Sequence, residues 1–209
     1  MNNLLFSLVD VSNEIVKSLA TLGVFYPILF NLFGVLATIT KVSEYQMKKR
    51  DKIFIFAIVA SCCWLTYFLL QGDFVSAFGN LIVVLQVLVF RLRSTHKWAN
   101  SIFWLFFFIA IQLTTSLISF KTVYDIFPIV GGVLCTISYF VMKEKHYRYI
   151  AFFACTCWLL NSVTKGYLLA SINDAASVIS VVVAIIRYSI LEKKENQLKE
   201  SVLEETKTE

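Results

Sequence analysis

A chain of 209 residues that is 58% hydrophobic and only 16% charged falls outside soluble domains, which are roughly 45–50% apolar and about 25% charged. Its mean hydropathy of +0.72 agrees. The net charge of +5 clusters between apolar runs, so it reads as a topology signal and requires no nucleic-acid partner.

Residues 1–23 start without a basic residue and carry Asp10 and Glu14, which argues against a signal peptide. Leu4, Leu8, Val11, Ile15 and Leu19 recur every three or four positions and predict an amphipathic interfacial helix outside the membrane, with an eighth span as the alternative. Uncharged runs follow at 22–40, 53–71, 74–90, 98–120, 126–142 and 149–164, and a seventh at 166–186 is broken only by Asp174. Each reaches or approaches the roughly 17–25 helical residues that cross about 30 Å of hydrocarbon. None alternates as a barrel strand must, so the expectation is seven transmembrane helices. With the carboxyl end inside, sixteen of the nineteen Lys and Arg residues fall on the cytoplasmic side. Lys41 is counted there, in the loop after the first span. The amino terminus is then outside and the carboxyl terminus cytoplasmic.

The chain repeats itself. Phe33-Gly34-Val35-Leu36 matches Gly131-Gly132-Val133-Leu134, and Cys63-Trp64-Leu65 through Gly72 matches Cys157-Trp158-Leu159 through Gly166. Trp64 and Trp158 are 94 residues apart, as are Gly72 and Gly166, Asn80 and Asp174, and Arg93 and Arg187, while Gly34 and Gly132 are 98 apart. Three spans match three, with one left between them to restore direction. The predicted organisation is an extracytoplasmic amphipathic segment at 1–23, a three-helix repeat at 24–93, a linker helix at 94–121, a second repeat at 122–190 and a charged cytoplasmic tail at 191–209. Parallel repeats about an axis along the membrane normal are a known transporter plan.

On Phe33-Gly34-Val35, Lys48-Lys49-Arg50, Cys62-Cys63-Trp64 through Gly72, and Trp158 through Gly166 with Arg187, the chain resembles the YgjV family of bacterial inner-membrane proteins over roughly residues 24–190. The 3+1+3 plan is similar to the wider SWEET, PQ-loop and PnuC transporter group. It lacks the Pro-Gln dipeptide of the PQ-loop members and the Trp-Asn and Pro-rich second-helix motif of PnuC, so the resemblance implies no specific substrate. It does imply an inner-membrane, multi-pass location.

No nucleophile with a base, paired carboxylates or phosphate loop marks an enzyme, and the five cysteines sit in apolar runs without metal-ligand spacing, so neither catalysis nor a cofactor or metal is expected. Counting 1.5 Å per residue puts Trp64 about 10 Å below the end of its span and Asn80 at nearly the same depth. Trp158, Asn161, Asn173 and Asp174 repeat the pattern. The resemblance to SWEET-like carriers implies a solute-binding role for Trp64, Asn80, Trp158 and Asp174. Helix packing explains the tryptophans and amides about as well. For Asp174, whose ionised form costs roughly 2.5–3.5 kcal/mol in a span, the alternative is a rim salt bridge to Lys165 or Lys121. Ala170, Asn173, Ser177, Ser180 and Ala184 form a small, polar stripe that either faces a pore or seats a neighbouring helix. Pro27 and Pro128 are candidate hinges or simply helix starts. The expected function is a carrier of a small polar solute such as a vitamin, nucleoside, sugar or amino acid. The alternative is a non-transporting scaffold of the same fold. The partners are the lipid bilayer and that solute, with a homo-oligomer left open.

Overall fold

The computed structural model describes residues 23, 25–118, 120, 122–141, 143–166 and 168–208. The expected amphipathic segment at 1–23 therefore lies, except for Gly23, outside the described residues, as does Lys121.

Seven α-helices form in the described residues: α1 Phe25–Gln46, α2 Arg50–Gln71, α3 Phe74–Arg91, α4 Phe103–Ile118, α5 Ile126–Phe140, α6 Glu144–Thr164 and α7 Leu168–Thr208. Short 3-10 turns at Leu92–Ser94, Trp98–Asn100 and Val123–Asp125 flank α4 and start α5. Among the described residues, four stretches are long and apolar enough to cross a membrane: Arg50–Gln71, Ser76–Ser94, Val123–Phe140 and Ala170–Glu192. Phe103–Leu117 is apolar but shorter. Helices α1 and α6, at 22 and 21 residues, are long enough but carry charged residues. At 41 residues α7 is roughly 60 Å long, twice the hydrocarbon thickness.

The residue types are arranged inside out. Large apolar side chains such as Phe25, Phe106, Ile172 and Ile179 are exposed, whereas Gln86, Thr136, Ser138, Asn161, Ser162 and Ser177 are buried. An apolar exterior of this extent marks a lipid-facing surface. Consecutive helices pack on each other from α1 to α3 and from α5 to α7, with α1 also against α7 and α4 against α5 and α3.

One end of the bundle carries two glycine turns. Gly72 has φ +76° and closes α2 by donating to Leu69 O at 3.1 Å, while Asp73 N reaches Phe68 O at 2.9 Å. Asp73 Oδ1 then accepts from Ser76 N at 3.0 Å and starts α3. Gly166, with φ +71°, ends α6 in the same left-handed conformation, which costs glycine little and other residues more. The other end gathers the basic loops: Arg50 reaches Val141, Arg93 reaches Phe140 and Lys145 pairs with Glu192 at 2.8 Å. That carboxylate raises the pKa of Lys145.

The packed core lies toward the basic end. Tyr45, Phe54, Ala57, Phe90, Phe108, Tyr139, Tyr147 and Ala151 form one buried cluster there. A cavity extends from this cluster, where Tyr45, Tyr139, Tyr147 and Ala151 line it, to the glycine-turn end.

Candidate functional site

The cavity has a volume of about 970 Å³ and is lined by residues of all seven helices. At the glycine-turn end its wall includes the exposed residues Asp73, Lys165 and Gly166, so it reaches the surface there. Trp64, Asn80, Trp158, Asn161, Asn173 and Asp174 all line it. The structure thus brings together the six residues singled out from the sequence.

Their local settings differ. Trp64 stacks on Phe68 with ring centroids 5.6 Å apart and meets Tyr67 edge-on at 5.2 Å, making one aromatic wall on α2. Trp158, on α6, packs against α5 at Gly131, where an added Cβ would stand 3.1 Å from its Nε1. Asn80 donates to Ser76 O one turn back at 2.9 Å. Asn173 Nδ2 donates to Asp174 Oδ1 at 3.0 Å, and Ser162 Oγ bonds Asp174 Oδ2. The amide and carboxyl groups therefore concentrate on α6 and α7, while Asn80 faces them from α3.

The rim salt bridge expected as the alternative for Asp174 is not made with Lys165. That lysine pairs at 2.7 Å with Asp125, which the 3-10 turn before α5 places closer, and whose carboxylate also accepts from Thr122 N at 2.7 Å. The polar stripe on α7 serves both of its expected roles in different halves. Ala170, Asn173 and Ser177 line the cavity. Ser180 instead donates to Val42 O at 2.7 Å and receives Gln46 Nε2 at 2.9 Å, seating α1, and Ala184 is buried in the same packed half. Pro128 is the third residue of α5 and Pro27 the third of α1, inside a first turn, where the missing N–H has no intrahelical partner to lose.

Lys41 corrects the sequence reading, which placed it in a loop. Helix α1 continues past it to Gln46, and Lys41 lines the cavity floor. Its Nζ donates to Glu44 Oε2 at 3.0 Å and to Tyr139 OH at 2.9 Å. Glu44, with no exposed surface, also accepts from Tyr139 OH at 3.0 Å and from Tyr147 OH. Gly34, Ala37, Lys41 and Glu44 recur every three or four positions, so the helical period carried the signal that the first charged residue obscured. The repeat carried it too: Lys41 and Tyr139 are 98 residues apart, the interval of Gly34 and Gly132.

Beneath this floor three arginines close the basic end. Arg50, on α2, donates to Tyr139 O at 2.8 Å and to Val141 O, at the end of α5. Arg148, on α6, donates to Met47 O at 2.7 Å and Tyr45 O at 3.3 Å, at the end of α1. Arg93 donates to Phe140 O and to Asn100 Oδ1 at 3.2 Å. Helix carboxyl ends leave carbonyls unpaired and carry partial negative charge, so cations cap them well. The exchange is reciprocal, since each group of three consecutive helices supplies an arginine to the first helix of the other. The result is a polar, aromatic cavity open at one end and sealed at the other.

A family model described as bacterial inner membrane protein, Imp-YgjV, matches residues 28–192. No curated protein and no solved structure matches the chain.

Proposed function

We propose, from the premise that this chain belongs to the Imp-YgjV family of bacterial inner membrane proteins, that it carries a small polar solute across that membrane. Helices α1–α3 and α5–α7 act as two parallel three-helix units, α4 links them, and rocking of one unit against the other exposes the central cavity to either side. This is the 3+1+3 plan of the SWEET, PQ-loop and PnuC group. The basic end faces the cytoplasm and the glycine turns face outward.

The cavity carries this reading, because it joins the Trp64 and Asn80 set to the Trp158 and Asp174 set and has one open end. A scaffold that had lost its site would gain nothing from a cavity of about 970 Å³ between its helices, since side chains packed there would add apolar contacts that a solvent-open cavity does not provide. The repeat supports the two-unit plan: Gly72 and Gly166 close α2 and α6 with the same positive φ, and Arg50 and Arg148 cap the opposite unit reciprocally.

The test is thermal stabilisation of purified protein across nucleosides, vitamins, sugars and amino acids, followed by uptake of the best solute into proteoliposomes. One class should raise Tm in a concentration-dependent way and be taken up. Stabilisation without uptake would leave a binding scaffold, and the absence of both would end the carrier reading.

A further inference from the structure

The wall formed by α6 and α7 is a surface of acceptors. Asp174 presents a carboxylate whose partners are the neutral groups Ser162 Oγ and Asn173 Nδ2. Because Asn173 gives its Nδ2 to Asp174, its amide oxygen points elsewhere. That oxygen, together with Asn161 Oδ1 and Ser177 Oγ, is buried without a hydrogen-bond partner among the described residues. Asn161, Asn173 and Ser177 are each more than nine-tenths buried and line the cavity beside Asp174. Two buried amide oxygens and a hydroxyl, which can accept as well as donate, are thus left for a donor that the described residues do not supply.

The protein's own cations do not supply it. Of the two lysines that line the cavity, Lys41 is held by Glu44 at 3.0 Å and Lys165 by Asp125 at 2.7 Å. Asp73 adds another carboxylate at the mouth. The lining is therefore net acidic, and among the described residues only Asp125 of its carboxylates is in a salt bridge. Asp73 is capped by Ser76 at the mouth, which leaves Asp174 as the carboxylate beside the unpaired amide oxygens. An anionic solute would meet repulsion, and a neutral polyol would bring lone pairs as well as donors to a wall that already has acceptors in excess.

We propose that this wall binds the ammonium group of an amine-bearing solute, with Asp174 as its counter-charge. An ammonium offers three donors and no acceptor, which matches one carboxylate surrounded by amide and hydroxyl oxygens. Trp158 and Trp64 line the same cavity, and indole faces attract cations. This rests on the proposed solute cavity and names the charge of what it takes.

The experiment compares probes of one shape and three charges: tyramine, the neutral alcohol tyrosol and the anion 4-hydroxyphenylacetate. A second set uses butylamine, butanol and butyrate. Binding is read as the shift in Tm of the purified full chain at fixed pH and ionic strength, so transport itself is not required. The amine of each set should stabilise at concentrations at least tenfold lower than its alcohol, and the anion should not stabilise. Asp174→Asn should abolish the preference for the amine, Asp174→Glu should retain part of it, and Ser177→Ala should weaken the amine response more than the alcohol response. If Asp174→Asn does not fold, the last two variants still decide. A preference for the alcohol or anion overturns the charge assignment and leaves the solute cavity standing. Stabilisation by sodium in place of potassium, lost in Asp174→Asn, overturns it in favour of a metal-ion site. No response to any probe of either set counts against the cavity as a solute site and against this inference together.

Discussion

Replacing Arg148 by alanine tests how the basic end is held shut. The guanidinium donates to Met47 O at 2.7 Å, more weakly to Tyr45 O at 3.3 Å, and lies 3.9 Å from the Tyr188 ring centre. A charge-assisted hydrogen bond contributes about 1.5–3 kcal/mol and a cation–π contact about 0.5–2 kcal/mol. Counting the short bond and the ring contact, and discounting the long bond, gives roughly 2–5 kcal/mol in favour of the closed arrangement. Since about 1.4 kcal/mol is tenfold in an equilibrium constant, the variant should open this end 30-fold or more often.

Cys155 is a built-in reporter of that opening. It is buried at the floor, with Sγ 3.1 Å from Tyr45 OH. In a chain whose other four cysteines are replaced, a membrane-impermeant maleimide applied from the basic face should label Cys155 slowly in the parent and at least tenfold faster in Arg148→Ala. Arg148→Lys should fall between, because an ammonium keeps the charge but cannot span both carbonyls and stack on Tyr188. Equal labelling rates in a variant that still folds would refute the idea that Arg148 holds the end closed.

Three further outcomes follow from the same geometry. Cysteines introduced at Asp73, Thr122 and Lys165 should react from outside intact cells and those at Lys49, Thr95 and Lys145 should not; the reverse pattern would overturn the orientation. Gly132→Ala should destabilise by about 1–3 kcal/mol in thermal unfolding, because a Cβ there would stand 2.6 Å from Gln112 Nε2, and adding Gln112→Ala should recover most of the loss. Glu44→Gln should cost roughly 3–5 kcal/mol by leaving Lys41 without its carboxylate, whereas Lys41→Met with Glu44→Gln should cost less than Glu44→Gln alone; if the double variant is worse, the pair is not coupled.

Most of the helical plan was legible because lipid imposes a simple rule: a span must be apolar and about as long as the bilayer is thick. The run at 74–90 became α3, Phe74–Arg91, almost residue for residue. The rule fails where a helix carries charge at its end. Lys41 and Glu44 interrupt the run that became α1, yet the helix continues through both, placing Lys41 on the cavity floor and Glu44 buried beside it. The six residues chosen by depth and repeat do share one cavity, because equal depth on antiparallel neighbours with short turns leaves little freedom except rotation. Which cation pairs with which carboxylate was not legible. Lys165 or Lys121 was the alternative partner for Asp174, and Lys165 pairs instead with Asp125, because the 3-10 turn at Val123–Asp125 sets distances that no sequence interval encodes. The arginine caps escaped notice for a related reason: their acceptors are backbone carbonyls, which every residue has.

The composition of the sealed end bears on whether it opens. A buried ion pair is rarely more stable than apolar residues of the same volume, so Lys41 and Glu44 are a poor choice for a floor that only has to be tight. Seals of leucine and phenylalanine would cost less to bury, but opening them would expose hydrocarbon to water. The contacts at this end are largely of another kind: Lys41 and Tyr139 on Glu44, Arg50 and Arg148 on helix-end carbonyls, Gln46 on Ser180. Each of these groups can exchange its protein partner for water on opening. The net cost per bond then stays near that of a hydrogen bond to a charged group, about 1.5–3 kcal/mol, or to a neutral one, about 0.5–1.5 kcal/mol, rather than the full desolvation penalty. On the proposed carrier reading, such an end is strong enough to close the cavity and weak enough to let the two units separate. The same argument gives the direction of failure. Replacing the floor pair by well-packed apolar residues should stabilise the closed form and slow any solute passage, whereas breaking one arginine cap should do the opposite.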